Sequence, residues 1–330
     1  MVPHPLPRDH ATFPLAATAI LGLILAFMGV GAPPAANASY DPKSVEKSIV
    51  QLFIEWSGMV GIAGKDGQIV WATQPTVIGA SCSGAFVSTS GHISTAGHCV
   101  DDTDTQEIGT RLAREFLRAA GVSANEIEAA LPQTYYDEET LVRKVYAYQN
   151  GEVADAVLPP TGIVAEVIDF QQFERGDNAL LRINNLNRET PALPVASVEP
   201  AVGDKITAVG FPGFVSQTSD AARQRASFKS GQVSSRQTDG NTGVAYLETD
   251  ASTGAGMSGG PVLNENGEVV GSVSYGPSTE SSAVGQDFNF ATTGVRGFLV
   301  SHGVTLQDAA IPEPAPGIPW LSPAASPPAN

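Results

Sequence analysis

The sequence predicts an all-β protein built from barrels rather than from a parallel sheet. Short apolar runs bounded by glycine and proline turns recur along the chain, and regularly alternating helices do not separate them. About 290 residues follow an apolar leader, which is enough for two packed β-domains with buried cores. The runs expected to form strands are residues 48–56, 58–62, 82–100, 162–170, 178–183, 205–210, 231–236, 245–248, 262–271 and 288–291.

Residues 1–38 have the features of an export signal. An uncharged apolar run extends from Leu15 to Gly31, and Ala36-Asn37-Ala38 has the small-x-small form that signal peptidase accepts. The run is about 17 residues long, at the lower limit for spanning a bilayer, so an uncleaved anchor facing the outside of the cell is the alternative. We expect a secreted protein that contacts a membrane only if this leader is retained.

Acidic residues outnumber basic residues in this chain. There are 34 aspartates and glutamates against 18 lysines and arginines, which gives a formal net charge of −16. Such a balance repels both the phosphate backbone of nucleic acids and anionic lipid headgroups. Neither is therefore an expected partner, and the charge favours solubility outside the cell.

One segment within the first β-domain departs from the strand pattern. Between Gln106 and Leu131, apolar residues recur at helical spacing, and Ser123 is placed to cap a second helix. We expect two short helices in an insertion at about residues 103–134. A surface addition without a role is the expected interpretation, and the alternative is a lid or an exosite, because the segment follows closely on His98.

The C-terminal residues 306–330 are rich in proline and alanine. Such a composition cannot bury a core, so this tail is expected to be disordered or extended. Its expected interaction, if it has one, is with a partner that the composition does not identify.

A serine surrounded by glycines lies in the segment Thr253–Pro261. Gly256 has no Cβ, so its N–H and that of Ser258 can point into one concavity beside the serine hydroxyl. Gly259 and Gly260 leave room for an incoming acyl group. Taken alone, the segment is also compatible with an ordinary glycine- and serine-rich loop.

A serine hydroxyl becomes a useful nucleophile when an imidazole accepts its proton and a carboxylate orients that imidazole. Of the five histidines, His98 is the candidate base, because it follows an apolar strand and a run of small residues that leave room for another side chain. His92 is expected in a surface turn. The others are His4, His10 and His302.

Asp177 is the candidate carboxylate. It directly precedes the apolar strand expected at 178–183, which would hold it at the edge of a core and away from water. The acidic run Asp101, Asp102 and Asp104 is closer to His98 in sequence, but it is expected to be a solvated loop.

The order His98, Asp177 and Ser258 resembles the chymotrypsin-like, trypsin-fold serine proteases, and in particular the bacterial branch that includes the high-temperature-requirement proteases. The resemblance covers about residues 50–305 in patches. It rests on the segments Thr95–Cys99, Asp177–Leu181 and Gly256–Pro261.

The resemblance implies a specific architecture. Two antiparallel six-stranded β-barrels are expected at 39–190 and 191–305. A C-terminal helix is expected at 293–302, capped by Thr292 or Thr293. The chain is expected to have no room for the PDZ domain that many high-temperature-requirement proteases carry.

The resemblance also implies an exported serine endopeptidase. Ser258 would be acylated, His98 would act as general base and then acid, and Asp177 would orient the imidazole. The N–H groups of Gly256 and Ser258 would form the oxyanion hole. Substrates would be extended protein or peptide segments. No metal or organic cofactor would be needed for the chemistry, and a structural calcium ion is left as an alternative. The alternatives are a catalytically silent binding or adhesion module, and an esterase with the same triad.

Substrate-binding residues are expected on two further segments. Ser274-Tyr275-Gly276 resembles the Ser-Trp-Gly strand along which these proteases pair with an extended peptide. Ser252 aligns with the base of the primary specificity pocket, where a small neutral residue gives no support for lysine or arginine. A medium-sized apolar residue before the scissile bond is therefore expected.

Cys82 and Cys99 are the only cysteines, and their positions match a disulfide of the family that ties the histidine loop to the preceding strand. A metal or redox pair is the weaker alternative, because two cysteines do not complete a zinc site and no C-x-x-C spacing exists. An exported chain also favours the disulfide.

Met257 departs from the family pattern. Zymogen-type members carry an aspartate here that pairs with a newly cleaved N-terminal amine. Methionine cannot form that ion pair, so activation by a new N-terminus is not expected.

Overall fold

The structure is a computed structural model that describes residues 40–213, 224–276 and 289–307. The predicted leader at 1–38 and residues 308–330 of the predicted tail lie outside these ranges. In the part of the chain that is described, no helix is both long and apolar enough to cross a membrane.

Strands dominate the described residues. In chain order they are β1 (Ile49–Gly58), β2 (Val60–Ala63), β3 (Ile69–Trp71), β4 (Thr76–Phe86), β5 (His92–Ala96), β6 (Thr134–Tyr136), β7 (Val142–Tyr148), β8 (Ile163–Phe170), β9 (Asn178–Arg182), β10 (Lys205–Gly210), β11 (Ser227–Thr238), β12 (Ala245–Thr249), β13 (Pro261–Leu263), β14 (Val269–Ser272) and β15 (Asn289–Thr292). The α-helices are α1 (Pro42–Glu46), α2 (Thr105–Ala119), α3 (Ala124–Ala130) and α4 (Val295–Ser301).

Six antiparallel strands close the first barrel in the order β1-β4-β5-β9-β8-β7. A second antiparallel sheet has the order β14-β13-β10-β11-β12-β15, and a bridge between Val273 and Ala291 brings its two ends together. The predicted fold class, all-β with two six-stranded antiparallel units and added helices, is confirmed.

Alternation of buried residues along the strands builds the cores. In β1, Leu52, Ile54 and Trp56 are buried on one face and belong to the core of the first barrel. A second core fills the β10–β15 sheet and includes Leu247 and Met257. A third cluster packs residues of both units together with α4.

The insertion after His98 is part of the first core, which corrects the expectation of a surface addition. Helix α2 has 15 residues, longer than predicted, and Asp104 caps it by accepting from the Glu107 N–H at 2.8 Å. Its residues Ile108 and Leu112 are buried in the barrel core. Ser123 precedes α3 as predicted, but its hydroxyl donates to the Glu126 carboxylate instead of capping the backbone.

The predicted cap of the C-terminal helix is wrong. Helix α4 begins after Gly294, whose φ of 70° is in the left-handed region. The two threonine hydroxyls have other partners, because Thr292 accepts from the Ser272 N–H and Thr293 donates to the Ala245 carbonyl.

Candidate active site

The pairing of β5 with β9 brings His98 to Asp177. Ala96, the last residue of β5, is opposite Asn178, the first residue of β9, so the residues just beyond both strand ends are neighbours. The Gly97 N–H donates to the Asp177 carbonyl at 3.0 Å. A Cβ at Gly97 would be 1.9 Å from the Gln171 carbonyl oxygen, so only glycine permits this approach.

The Asp177 carboxylate is fully buried and accepts several hydrogen bonds. One oxygen accepts from the His98 main-chain N–H at 2.7 Å, and the other lies 2.9 Å from His98 Nδ1. The Ser274 hydroxyl also donates to this second oxygen. Because a carboxylate accepts a hydrogen bond from Nδ1, the neutral imidazole holds its proton there and leaves Nε2 as an acceptor.

Ser258 lies on a tight turn that faces the same cleft as His98. Gly256 and Gly259 have φ values of 91° and 78°, which L side chains rarely adopt. Ser258, Gly256 and His98 line a cleft of about 510 Å³. Within the described residues the recorded contact of His98 Nε2 is with Cys99 Sγ, and no hydrogen bond joins it to Ser258 Oγ. Such contacts are often long without a substrate and tighten when one binds.

The backbone of this turn leaves two N–H groups available. The Ala255 carbonyl accepts from the Gly213 N–H at 2.7 Å. In a trans peptide the carbonyl and the next N–H point in opposite directions, so the Gly256 N–H points away from Gly213. Among the described residues, neither this N–H nor that of Ser258 has a protein acceptor.

Met257 projects away from the cleft. Its side chain is fully buried in the core of the β10–β15 sheet, among residues such as Leu247 and Val262. Its main-chain N–H donates to the Gly254 carbonyl at 2.9 Å. The turn is therefore anchored at Met257 by apolar packing.

The disulfide between Cys82 and Cys99 ties the histidine turn to β4, as predicted. Cys99 Sγ lies 4.0 Å from His98 Nε2. Cys82, His98 and Cys99 together form a cluster with metal-ligating spacing. Because the two sulfurs are bonded to each other, they are not thiolate ligands for a metal.

The predicted substrate-binding residues lie outside the lining of the cleft that contains Ser258, as far as the described residues define it. Ser274 is buried, and its hydroxyl is committed to Asp177, while Tyr275 is 39% exposed. Gly276 and Ser252 are exposed.

An aromatic cluster surrounds Tyr275, and sequence analysis missed it. Its ring centroid lies 5.0 Å from that of Phe173, 5.7 Å from that of Tyr246 and 4.6 Å from that of Phe290. The Tyr246 hydroxyl donates to the Phe173 carbonyl at 2.6 Å. Burial, and then the charge of Asp177, raise the pKa of Tyr246. The cluster fixes the loop that carries Asp177 against the second sheet.

Helix α2 and the loop before it form one wall of the cleft. Ile108 and Arg111 from α2, with Glu107 in its first turn, line it beside Asp101 and Asp104. Asp104 is exposed and Asp101 is half-buried, so the acidic loop is solvated as expected, and both residues also line the cleft. Their place in the wall of the cleft was not apparent from the sequence, because it depends on how α2 packs on the barrel.

Comparisons with known proteins identify a family. The sequence model of the trypsin-like peptidase domain matches residues 82–271. Protease Do-like 1, chloroplastic, from Arabidopsis thaliana is 33% identical over 133 residues, which are 39% of this chain and 29% of that protein. Serine protease HTRA1 from Xenopus laevis is 33% identical over 113 residues, or 32% and 22% of the two chains. The chain thus spans less than a third of the length of these curated relatives.

Solved structures of proteases are also similar. An HtrA-type protease, AlgW, solved with a decapeptide has a TM-score of 0.47 at 17% identity, covering 79% of this chain and 67% of that one. The serine endoprotease from Yersinia pestis has a TM-score of 0.42 at 18% identity, covering 79% and 65%.

Proposed function

Because this chain belongs to the trypsin-like peptidase domain family, we propose that it is a secreted serine endopeptidase whose triad is Ser258, His98 and Asp177. The observation that carries the proposal is the buried Asp177 carboxylate, which holds His98 Nδ1 at 2.9 Å while Nε2 remains free to accept a proton in the cleft that contains Ser258.

In the first half of the reaction, Ser258 Oγ attacks the carbonyl carbon of the scissile bond and its proton passes to His98 Nε2. The negative charge that develops on the carbonyl oxygen is stabilised by the N–H groups of Gly256 and Ser258. When the C–N bond breaks, His98 returns the proton to the departing amine. The product is an ester between Ser258 and the acyl part of the substrate.

Water completes the reaction. His98 takes a proton from a water molecule, which attacks the ester carbonyl, and the proton then returns to Ser258 Oγ. Asp177 stays ionised throughout and stabilises the imidazolium that forms twice in each cycle. Its burial strengthens this interaction, because little water screens the charge.

The substrates that fit this arrangement are extended peptide segments. Ser274, Tyr275 and Gly276 follow β14 and offer a strand edge beside Asp177. Secretion is supported by the disulfide, because such bonds persist in oxidising compartments.

A fluorophosphonate probe tests the proposal directly. The purified chain is expected to label and to cleave casein, and Ser258→Ala is expected to lose both activities. Ser301→Ala, on α4 outside the cleft, is the matched control and is expected to retain both. Labelling that persists in Ser258→Ala contradicts the triad, and ester cleavage without peptide cleavage favours an esterase. Absence of both labelling and cleavage favours a silent binding module.

A further inference from the structure

Strand β4 carries a buried serine whose hydroxyl contacts the turn that holds Ser258. Ser83 is fully buried, and its Oγ donates to the Gly256 carbonyl at 2.8 Å. The same Oγ accepts from the Phe211 N–H at 2.9 Å. The main-chain N–H of Ser83 donates to the Ser258 carbonyl at 2.8 Å. One residue of the first barrel thus contacts both of the cleft-lining residues whose N–H groups have no protein acceptor among the described residues.

The Gly256 backbone requires such support. With a φ of 91° and no Cβ, Gly256 has access to other conformations, and rotation of its peptide groups would turn its N–H away from the cleft. The preceding peptide is held because the Ala255 carbonyl accepts from the Gly213 N–H. The following peptide is held because the Gly256 carbonyl accepts from Ser83 Oγ. The glycine is therefore fixed from both sides.

The neighbouring side chain cannot supply this polar contact. Met257 is buried among apolar residues and has no donor for the Gly256 carbonyl. Ser83 supplies a donor and an acceptor at one atom, which satisfies the Gly256 carbonyl and the Phe211 N–H together. Both are backbone groups whose loss of a partner in a buried site is costly.

We propose that Ser83 is a positioning residue of the oxyanion hole, whose hydroxyl fixes the Gly256 N–H in the orientation that stabilises the tetrahedral intermediate. This inference rests on the proposed protease function and adds to it a residue of the first barrel that does not touch substrate. The hydroxyl contacts the backbone of Gly256 and Phe211 and not the substrate, so its loss should affect the transition state and leave substrate binding unchanged.

Ser83→Ala tests the inference, with Ser88→Ala as the matched control. Ser88 is also a buried serine, and its hydroxyl bonds His92 Nδ1 at 2.7 Å, outside the cleft. Rates are expressed per site titrated with fluorophosphonate, so unfolded molecules do not count. Ser83→Ala is expected to lower kcat by about 10- to 100-fold at unchanged KM. This loss is smaller than the roughly 10²- to 10³-fold loss of kcat that follows complete removal of one oxyanion donor. Ser88→Ala is expected to change neither parameter.

A peptidyl boronic acid separates positioning from general stability. Its adduct with the nucleophile is tetrahedral, so Ser83→Ala should weaken it by about the same factor as kcat, whereas the amine-side product peptide, which has no oxygen for the oxyanion hole, should bind unchanged. Equal kcat in Ser83→Ala and the parent overturns the inference, and so does an equal loss of affinity for product and boronate.

If Ser83→Ala does not fold, Ser83→Thr and Ser83→Val form a second test. The two side chains have nearly the same shape and differ in the hydroxyl. The threonine variant is expected to have at least about tenfold higher kcat per titrated site, and equal values overturn the inference. Absence of labelling and turnover in the parent chain would contradict the proposed function itself, so the two failures are distinguishable.

Discussion

The Asp177 carboxylate holds His98 at two points, because it accepts from the main-chain N–H at 2.7 Å and lies 2.9 Å from Nδ1. The first contact fixes the turn after β5, and the second fixes the plane and the tautomer of the ring. Since Asp177 itself has a φ of 55°, the backbone on both sides of this pair is held in a specific conformation. The orientation of the His98 imidazole thus depends on one fully buried carboxylate.

Asp177→Asn should therefore abolish most of the activity without unfolding the chain. An amide can donate to Nδ1 and so favours the tautomer with its proton on Nε2, which cannot accept from Ser258. We expect kcat to fall by on the order of 10⁴, the size of this effect in Ser-His-Asp enzymes. Asp102→Asn is the control, because the Asp102 carboxylate pairs with Arg143 and not with His98. A loss of less than about tenfold in Asp177→Asn would contradict the assigned role.

The disulfide should contribute both to stability and to the position of His98. Cys82 and Cys99 are 17 residues apart, and crosslinks closing loops of about that length stabilise by about 3 kcal/mol. The double variant Cys82→Ser/Cys99→Ser is expected to lose this amount in urea unfolding at neutral pH. The parent protein under reducing conditions should behave in the same way. Equal midpoints for oxidised parent and double variant would show that the crosslink is not formed.

Met257 should tolerate an apolar replacement and reject a charged one. Met257→Leu keeps the buried volume of the second core and is expected to cost less than about 1.5 kcal/mol. Met257→Asp places an unpaired carboxylate in that core, so we expect a loss of several kcal/mol. Thermal unfolding of both variants measures the difference. An aspartate variant as stable as the parent would indicate that an amine reaches this site.

Each residue of the proposed triad has a local signal in the sequence. Glycines flank Ser258, small residues precede His98, and an apolar strand follows Asp177. Ser83 has no such signal, since its hydroxyl partners are 128 and 173 residues away in the chain. Its proposed role depends on how β4 packs against the second sheet, which no local pattern contains.

Strand β7 was missed because Arg143 and Lys144 interrupt its apolar pattern. The guanidinium of Arg143 lies 5.8 Å from the ring centroids of both Trp56 and Phe170, and it pairs with Asp102. Burial lowers its pKa, and the charges of Asp102 and Asp101 oppose that shift. A cation held between aromatic rings is compatible with a half-buried strand, but sequence patterns interpret it as solvent-exposed.

The acidic side chains of the cleft should favour basic residues on the leaving side of the substrate. Asp101, Asp104 and Glu107 line the cleft with Arg111 as its one cation among the described lining residues. The segment expected to hold the acyl side, Ser274–Gly276, does not line it. We expect peptides with lysine after the scissile bond to be cleaved about fivefold faster than those with glutamate, in line with about 1 kcal/mol for exposed ion pairs.

Asp104→Asn/Glu107→Gln should remove that preference, and added salt should reduce it in the parent. Glu138→Gln/Glu139→Gln makes the same change of net charge away from the cleft and is the control. If both double variants alter the lysine-to-glutamate ratio of kcat/KM equally, the effect arises from net charge and not from the cleft.

His302 should make stability depend on pH. Its Nδ1 faces the Phe298 carbonyl at 2.8 Å, and its Nε2 lies 2.7 Å from the Asp169 carboxylate. Both contacts raise the pKa of His302, the hydrogen bond to the Phe298 carbonyl is the largest cause, and burial opposes them. The stabilisation is therefore complete below the unfolded pKa of about 6.5 and is lost as the pH rises through the higher folded pKa. The free energy of unfolding of the parent minus that of His302→Gln should be larger near pH 6 than near pH 9.

His92 supplies a control with the opposite sign. Burial, and then the charge of Arg182, lower its pKa. Protonation therefore opposes folding, and the stability that neutral His92 contributes is present above about pH 6.5 and declines as the pH falls below it. The free energy of unfolding of the parent minus that of His92→Gln should decrease towards acid pH. The corresponding difference for His302→Gln should increase. Two curves with the same slope would contradict the assignment of these two environments.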